Sequence, residues 1–142
     1  MIPKSDWAGL IPHRGAMCLL DAVVDWDQTR IHAITDSHSR RDNPLRSGDR
    51  LRALNGCEYG AQAMAVHGGL LARNAGRSAA PGFLVALRNV ELCVARLDDL
   101  DGSLDVHAEQ LLGGADGWQY TFRIAHRGTL LVSGRATVMM QR

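Results

Sequence analysis

One stretch limits the fold of this chain more than any other. Between Arg52 and Arg73 there is no basic side chain and a single acid, Glu58. Leu54, Ala61, Met64, Ala65, Gly68, Leu71 and Ala72 recur there at helical spacing. Tyr59, Ala63, Val66 and Leu70 fall on the opposite side, so the helix is apolar nearly all round. Such a helix is buried over most of its surface, and the rest of the chain must cover it. Leu51 to Leu54 read as a preceding turn, with Asn55 capping the main body.

Most of the remaining chain alternates with a period of two, the pattern of half-buried strands. Trp118, Tyr120, Phe122 and Ile124 alternate with Gln119, Thr121 and Arg123. Leu104, Val106 and Ala108 do so with Asp105, His107 and Glu109. Val90, Leu92 and Val94 give another strand, and Leu130, Val132, Gly134, Ala136 and Val138 a further one. Residues 17–27 and 30–35 read as two strands joined by the turn Asp27-Gln28-Thr29. Residues 37–48, 76–82 and 113–117 are polar or glycine-rich and read as loops or turns. Short connections imply antiparallel neighbours.

One buried helix and about six strands leave few ways to build a core. The expected architecture is α+β, a curved antiparallel sheet wrapped around one long central helix, the hotdog arrangement. With 142 residues the chain suits a single domain, residues 1–142. The sheet leaves part of the helix uncovered and its own edges open, so a homodimer or a higher multiple of it is expected.

Composition removes several classes of function. Sixteen Lys+Arg against fifteen Asp+Glu leave a net charge of +1, so no basic field gathers nucleic acid. Cys18, Cys57 and Cys93 are odd in number, widely spaced and without a CxxC, which gives neither a fully paired disulfide framework nor a zinc-ligand pattern. No charged-then-apolar leader opens the sequence, and no apolar run approaches the ~18 residues of a membrane span. A reducing cytoplasm is the expected location.

Three places carry groups suited to chemistry. His13 lies in Leu10-Ile11-Pro12-His13-Arg14-Gly15-Ala16-Met17, where Pro12 extends the chain and Gly15 permits a turn. A histidine there can take and return a proton near neutral pH, although a surface histidine after a proline is the plainer alternative. Glu58, with Gln62 one turn later on the same helix face, is costly if buried unless it is paired or used. A partly exposed acid favoured by the helix dipole is equally consistent with its place three residues after Asn55. At the helix start, the backbone N–H groups of Gly56 and Cys57 can polarise a carbonyl oxygen. Thiolates are favoured at such a position, but no base beside Cys57 is identifiable in the sequence. His67 reads as an interior residue, and His32, His38, His107 and His126 lack a second ligand at metal spacing.

These segments resemble a known family. Residues 10–27, LIPHRGAMCLLDAVVDWD, are similar to the L-P-H-R-x-P-x-L-L-x-D-x-V opening of the beta-hydroxyacyl-ACP dehydratases of fatty acid synthesis. Residues 42–51, DNPLRSGDRL, resemble that family's N-x-P-x-F-x-G-H-F-P loop, and residues 62–71, QAMAVHGGLL, its E-A-M-A-Q-x-x-G-L-L helix. The branch associated with aryl polyene pigments is the most similar, through H-R and G-x-E-Y-x-A-Q-A-M-A-V-H-G. The resemblance implies dehydration of a 3-hydroxyacyl thioester to the trans-2-enoyl thioester, with His13 as the catalytic histidine. It places Gln62 where the family has its catalytic acid. An amide cannot exchange a proton in that role, so Glu58 is expected to supply the carboxylate, with Gln62 orienting the substrate. It implies no metal and no redox cofactor, the substrate being carried on phosphopantetheine of an acyl carrier protein or on CoA. In the dimer of that family, histidine and acid come from opposite subunits. A hotdog acyl thioesterase using Glu58, and a weakly catalytic subunit pairing with an active hotdog partner, are the alternative readings.

Overall fold

The computed structural model describes residues 1–77, 82–114 and 117–140. Parts of the two glycine-rich turns expected at 76–82 and 113–117 lie outside the described residues. After a two-residue strand β1 (Ile2–Pro3) and a short helix α1 (Lys4–Trp7), the chain makes 3-10 turns at Ala8–Leu10 and Gly15–Met17. Strands β2 (Ala22–Trp26) and β3 (Arg30–Thr35) follow, then a long loop and the helix α2 (Gly56–Asn74). Strands β4 (Gly82–Leu92), β5 (Leu104–Gly113), β6 (Gly117–His126) and β7 (Thr129–Met140) complete the fold. The seven described strands form one antiparallel sheet in the order β1-β2-β3-β5-β6-β7-β4. The expected arrangement of one curved sheet around one long helix is what the molecule adopts.

The seventh strand, β1, is too short to show alternation and pairs only with Ala22 and Val23. The strand expected over residues 17–27 begins only at Ala22. The reason is chemical. Gln62 and Thr35 side chains take the backbone groups of Met17 and Leu19 that a ladder would need. The expected turn at Asp27 is present, with the Asp27 carboxylate accepting the N–H groups of Thr29 and Arg30. These bonds, the one from Thr29 first, hold the Asp27 carboxyl below its ordinary range. Asn55 does not cap α2. The helix grows out of a 3-10 turn at Ala53–Asn55, and the Asn55 amide donates to the Leu45 carbonyl instead. In β7 the expected inward set holds from Val132 onward, but a bulge opposite Ile124 and Ala125 buries Leu131 and exposes Leu130.

Helix and sheet approach closely because two glycines lie on the contact. A Cβ on Gly56 would stand 2.9 Å from Val132, and one on Gly60 only 2.6 Å from the Phe122 ring. Tyr59, Ala63, Val66 and Leu70 continue this buried face against Val106, Ala108, Tyr120 and Ile124. The other side of the helix is less covered. Leu54 is 58% exposed, and Ala61, Ala65 and Gly68 are half-buried, so an apolar stripe of the helix stays open. His67 is fully buried as expected for an interior residue. Its Nε2–H donates to the Asp27 carbonyl at 2.8 Å, and its Nδ1 accepts from the Tyr120 hydroxyl at 2.7 Å. The neutral ring thus clamps α2 to the β2–β3 turn and to β6.

This packing makes two predictions. Gly60→Ala forces the Phe122 ring aside and is expected to cost about 1–3 kcal/mol. Gly68→Ala meets open space and is expected to stabilise by roughly 0.5–1 kcal/mol, since alanine loses less entropy in a helix. Urea denaturation of the two variants reads both, and equal effects would contradict the contact. The second concerns pH. Burial pulls the imidazoles of His38, His67 and His107 below their ordinary value, His107 to about 4. The unfolded chain binds protons on these rings from about pH 6.5 downward, before the folded chain does. Their contribution is therefore complete above that pH and is lost as pH falls toward 4. The denaturation midpoint should be lower at about pH 5 than at about pH 7.5, and a flat profile would refute neutral burial.

Candidate active site

The loop that carries His13 is held at both ends. Upstream, Leu10 packs against the bare backbone of Gly69, where a Cβ would lie 2.8 Å from the Leu10 Cβ. Downstream, the Gln62 Oε1 accepts the Leu19 N–H at 2.9 Å, while its Nε2 donates to the Met17 carbonyl. Between these anchors Gly15 adopts a left-handed φ of +58°, a conformation that glycine takes without strain. The Arg14 guanidinium folds back to donate to the Ile11 carbonyl at 2.9 Å. His13 itself is half-buried, and its Nδ1 is shielded from solvent without a hydrogen-bond partner among the described residues. A nitrogen so shielded does not itself meet a substrate, so proton exchange by this histidine would fall to Nε2.

Gln62 departs from its expected role. It is 1% exposed, and both ends of its amide are bonded to the main chain. It positions the His13 loop and is not placed as a free substrate ligand. A carboxylate could accept from Leu19 but would face the Met17 carbonyl oxygen without a proton to donate. The amide therefore fits a site that needs one acceptor and one donor.

Glu58 takes the exposed of the two settings open to it. It projects from the first turn of α2 into solvent, beside the exposed Leu54, and has no ion-pair partner among the described residues. Its place is at one end of the uncovered apolar stripe. At the same helix start, the Gly56 N–H already points to the Ala53 and Leu54 carbonyls. The missing side chain of Gly56 serves contact with Val132. Cys57 is buried, and burial first, then the nearby Glu58 charge, pushes its thiol up. That favours the unreactive thiol over a nucleophilic thiolate.

A polar network behind the loop adds residues that the sequence did not single out. The Tyr59 hydroxyl bonds Ser37 Oγ at 2.8 Å and accepts from Asn43 Nδ2 at 2.9 Å. Thr35 donates to the Leu19 carbonyl and accepts from the Ser37 hydroxyl at 2.9 Å. A continuous chain of bonds thus runs from Asn43 through Tyr59, Ser37, Thr35 and Leu19 to Gln62. It ties the 37–48 loop and the His13 loop to one face of α2. Only the Asn43-Pro44 pair and the helix tyrosine hint at it in the sequence, and neither shows a partner without the fold. No cluster of three or more metal-ligating side chains occurs among the described residues, and no described helix is long and apolar enough to cross a membrane.

The model of the ApeP-like family, described as ApeP dehydratase, matches residues 5–142. No curated protein matches the chain in sequence. Among solved structures, a chain of the dehydratase heterocomplex ApeI:P from Xenorhabdus doucetiae superposes with a TM-score of 0.86 at 24% identity, covering 100% of this chain and 93% of that one. AziG of S. sahachiroi gives 0.61 at 19% identity, with 94% and 98% covered. Zebrafish thioesterase superfamily member 2 gives 0.61 at 16% identity, with 97% and 95% covered. These structures share the hotdog fold.

The two-point attachment of Gln62 to the main chain has a measurable consequence. Gln62→Glu replaces the donor to Met17 by a buried carboxylate oxygen and is expected to destabilise by about 1–3 kcal/mol. Because burial raises a carboxyl pKa, the substituted side chain regains the donor once it is protonated. The deficit relative to the unsubstituted protein should therefore shrink below neutral pH. Thermal melts of both proteins at about pH 8 and about pH 5.5 check this. A deficit that grows toward acid would contradict the donor–acceptor assignment.

Proposed function

The chain belongs to the ApeP-like dehydratase family, and from that premise we propose that it eliminates water from a 3-hydroxyacyl thioester carried on an acyl carrier protein. The observation that supports this reading most is a half-buried histidine on a clamped loop, present beside a solvent-facing acid elsewhere on an incompletely covered helix. His13 stands half-exposed on a clamped loop. Glu58 stands at the end of the open apolar stripe, unpaired among the described residues.

In this mechanism the His13 imidazole removes the C2 proton, which the adjacent thioester carbonyl acidifies. The electron pair forms the C2–C3 double bond as the C3 hydroxyl departs. Glu58 gives that hydroxyl a proton, so water leaves. The Cys57 N–H is the remaining donor at the helix start for the enolate-like oxygen. Gln62, Tyr59 and Asn43 hold the loop and the helix in register. The elimination moves only protons and water, and it calls on no metal or redox cofactor.

A second hotdog subunit completes the site in this reading. The open stripe of α2 and the edge strand β4, with Leu84, Val85, Leu87 and Leu92 all exposed, are two apolar surfaces that such a subunit covers together. It brings its own helix-start acid toward His13, or its own histidine toward Glu58. The partner is either a second copy or a related dehydratase subunit. The structural likeness to a chain of a dehydratase heterocomplex supports the latter. Gln62 favours it as well, since an acid at that position is absent from this chain.

The thioesterase reading rests on Glu58 alone, a helix-start carboxylate able to act as base on a thioester, and has no use for His13. Mass spectrometry of a 3-hydroxyacyl carrier protein decides between them. Loss of one water with the unsubstituted protein, reduced by about 10²-fold or more in His13→Ala and in Glu58→Gln, is expected. Release of free acid and unloaded carrier would establish the thioesterase instead. Activity only after adding a hotdog dehydratase subunit, still lost in His13→Ala, would assign the active form to the heteromer.

A further inference from the structure

The face of the sheet turned away from α2 carries charges that the reaction does not use. Two rows of side chains cross the central strands there. His32, His107, Arg123 and Ser133 stand opposite one another on β3, β5, β6 and β7. Arg30, Glu109, Thr121, Arg135 and Arg88 form the neighbouring row, which reaches β4. A depression of about 400 Å³ lies over these rows, and its lining includes Arg30, Arg123, Arg135, His107 and Glu109. Alternation separates it from the core: Phe122 and Ala108 are buried toward the helix, while Thr121, Arg123, His107 and Glu109 face outward.

The charges in this depression are out of balance. Its lining holds three arginines and one glutamate. Arg30 is already met by Asp25 at 3.5 Å and Asp27 at 3.2 Å. Among the described residues, Arg123, Arg135 and Arg88 have no carboxylate within ion-pair distance, and Glu109 has no cation within it. Arg88 stands directly opposite Arg135 in the ladder, and Arg123 lies diagonal to Arg135 on the next strand. Like charges so placed destabilise a sheet. Glu109 in the lining, and Glu91 opposite Ser133 on β4 outside it, are acids of this face, and neither lies within ion-pair distance of Arg123 or Arg135.

The surroundings are shaped for a ligand and not only for solvent. His107 stacks on His32, with ring centroids 4.2 Å apart and planes 19° from parallel, and His32 is fixed by Asp105 at 2.7 Å. Burial, His32 and Arg123 draw the His107 ring well below its ordinary pKa, to about 4, so it is neutral near pH 7 and supplies an N–H. Thr121 and Ser133 add hydroxyls on the same face. The strand amides are committed to the ladder, so side chains alone make the site. Two guanidinium forks reaching in from neighbouring strands suit a group with oxygens on several sides, which a phosphate has and a single carboxylate lacks.

We propose that this outer face of the sheet binds a phosphate-bearing small molecule through Arg123 and Arg135, with Thr121, Ser133 and His107 as further donors. The site is separate from His13 and Glu58, on the opposite side of the sheet, so occupancy is read by binding and not by turnover. Calorimetric titration with pyrophosphate and with ATP, at constant ionic strength, tests it. Saturable binding of one anion per chain is expected, at least tenfold weaker in Arg123→Ala/Arg135→Ala and intermediate in Arg123→Lys/Arg135→Lys. Binding of both probes assigns the affinity to the phosphates themselves, whereas binding of ATP alone assigns it to a nucleotide. Absence of saturable binding, or equal binding by the alanine variant with its urea midpoint unchanged, would overturn the proposal. So would a lower oligomer mass of that variant in light scattering with no anion bound, which would make the face a contact between copies.

Discussion

The structure depends on the closeness of α2 to the sheet at Gly56 and Gly60. Any side chain there would push the helix away from Val132 and Phe122. A helix seated this deeply brings its longer polar side chains into reach of the chain around it. Tyr59 meets Ser37 and Asn43, Gln62 meets Met17 and Leu19, and His67 meets Tyr120 and the Asp27 carbonyl. Each bond requires a buried polar group to find its partner at ordinary distance. A helix held even a methyl group farther out would leave several of them unsatisfied, and each would then cost about 1–3 kcal/mol. The apolar contact and the polar network are therefore one constraint.

Gln62 shows how that constraint shapes chemistry. A residue with both a donor and an acceptor can bind two main-chain groups of opposite kind, and a carboxylate cannot. Placing the amide here stops strand β2 short and turns the preceding segment into a fixed loop, which is where His13 sits. The acid of this helix lies one turn earlier at Glu58, outside the network, with no ion-pair partner among the described residues. Holding the loop and carrying the carboxylate are divided between two residues of the same helix.

Much of this is legible in the sequence where the pattern is periodic. The helix, the strands around Leu104 and Trp118, the turn at Asp27 and the interior place of His67 follow from spacing and composition. The errors fall where side chains compete with the backbone. Nothing local says that Gln62 and Thr35 will capture Met17 and Leu19, so alternation alone starts the strand too early. Asn55 looks like a cap but bonds Leu45, because a 3-10 turn already satisfies the helix start. Gly56 reads as a backbone donor at the helix start, and nothing local says that its bare Cα is also what admits Val132. Glu58 reads equally as a buried or a partly exposed acid, and it is exposed because its apolar neighbours are themselves half-open. Burial by a second subunit and burial by the same chain leave the same signature in one sequence.

That last ambiguity reaches the reaction. The uncovered stripe of α2 is apolar except at Glu58, so whatever covers the stripe must also meet that carboxylate. A partner offering only apolar surface would leave the charge desolvated and unpaired, which is among the costliest arrangements in a protein. A partner offering a proton-exchanging group or a bound substrate hydroxyl would not. The demand that the helix be covered and the demand that Glu58 be answered thus select the same surface. His13, half-exposed on its clamped loop, offers such a partner a reciprocal contact.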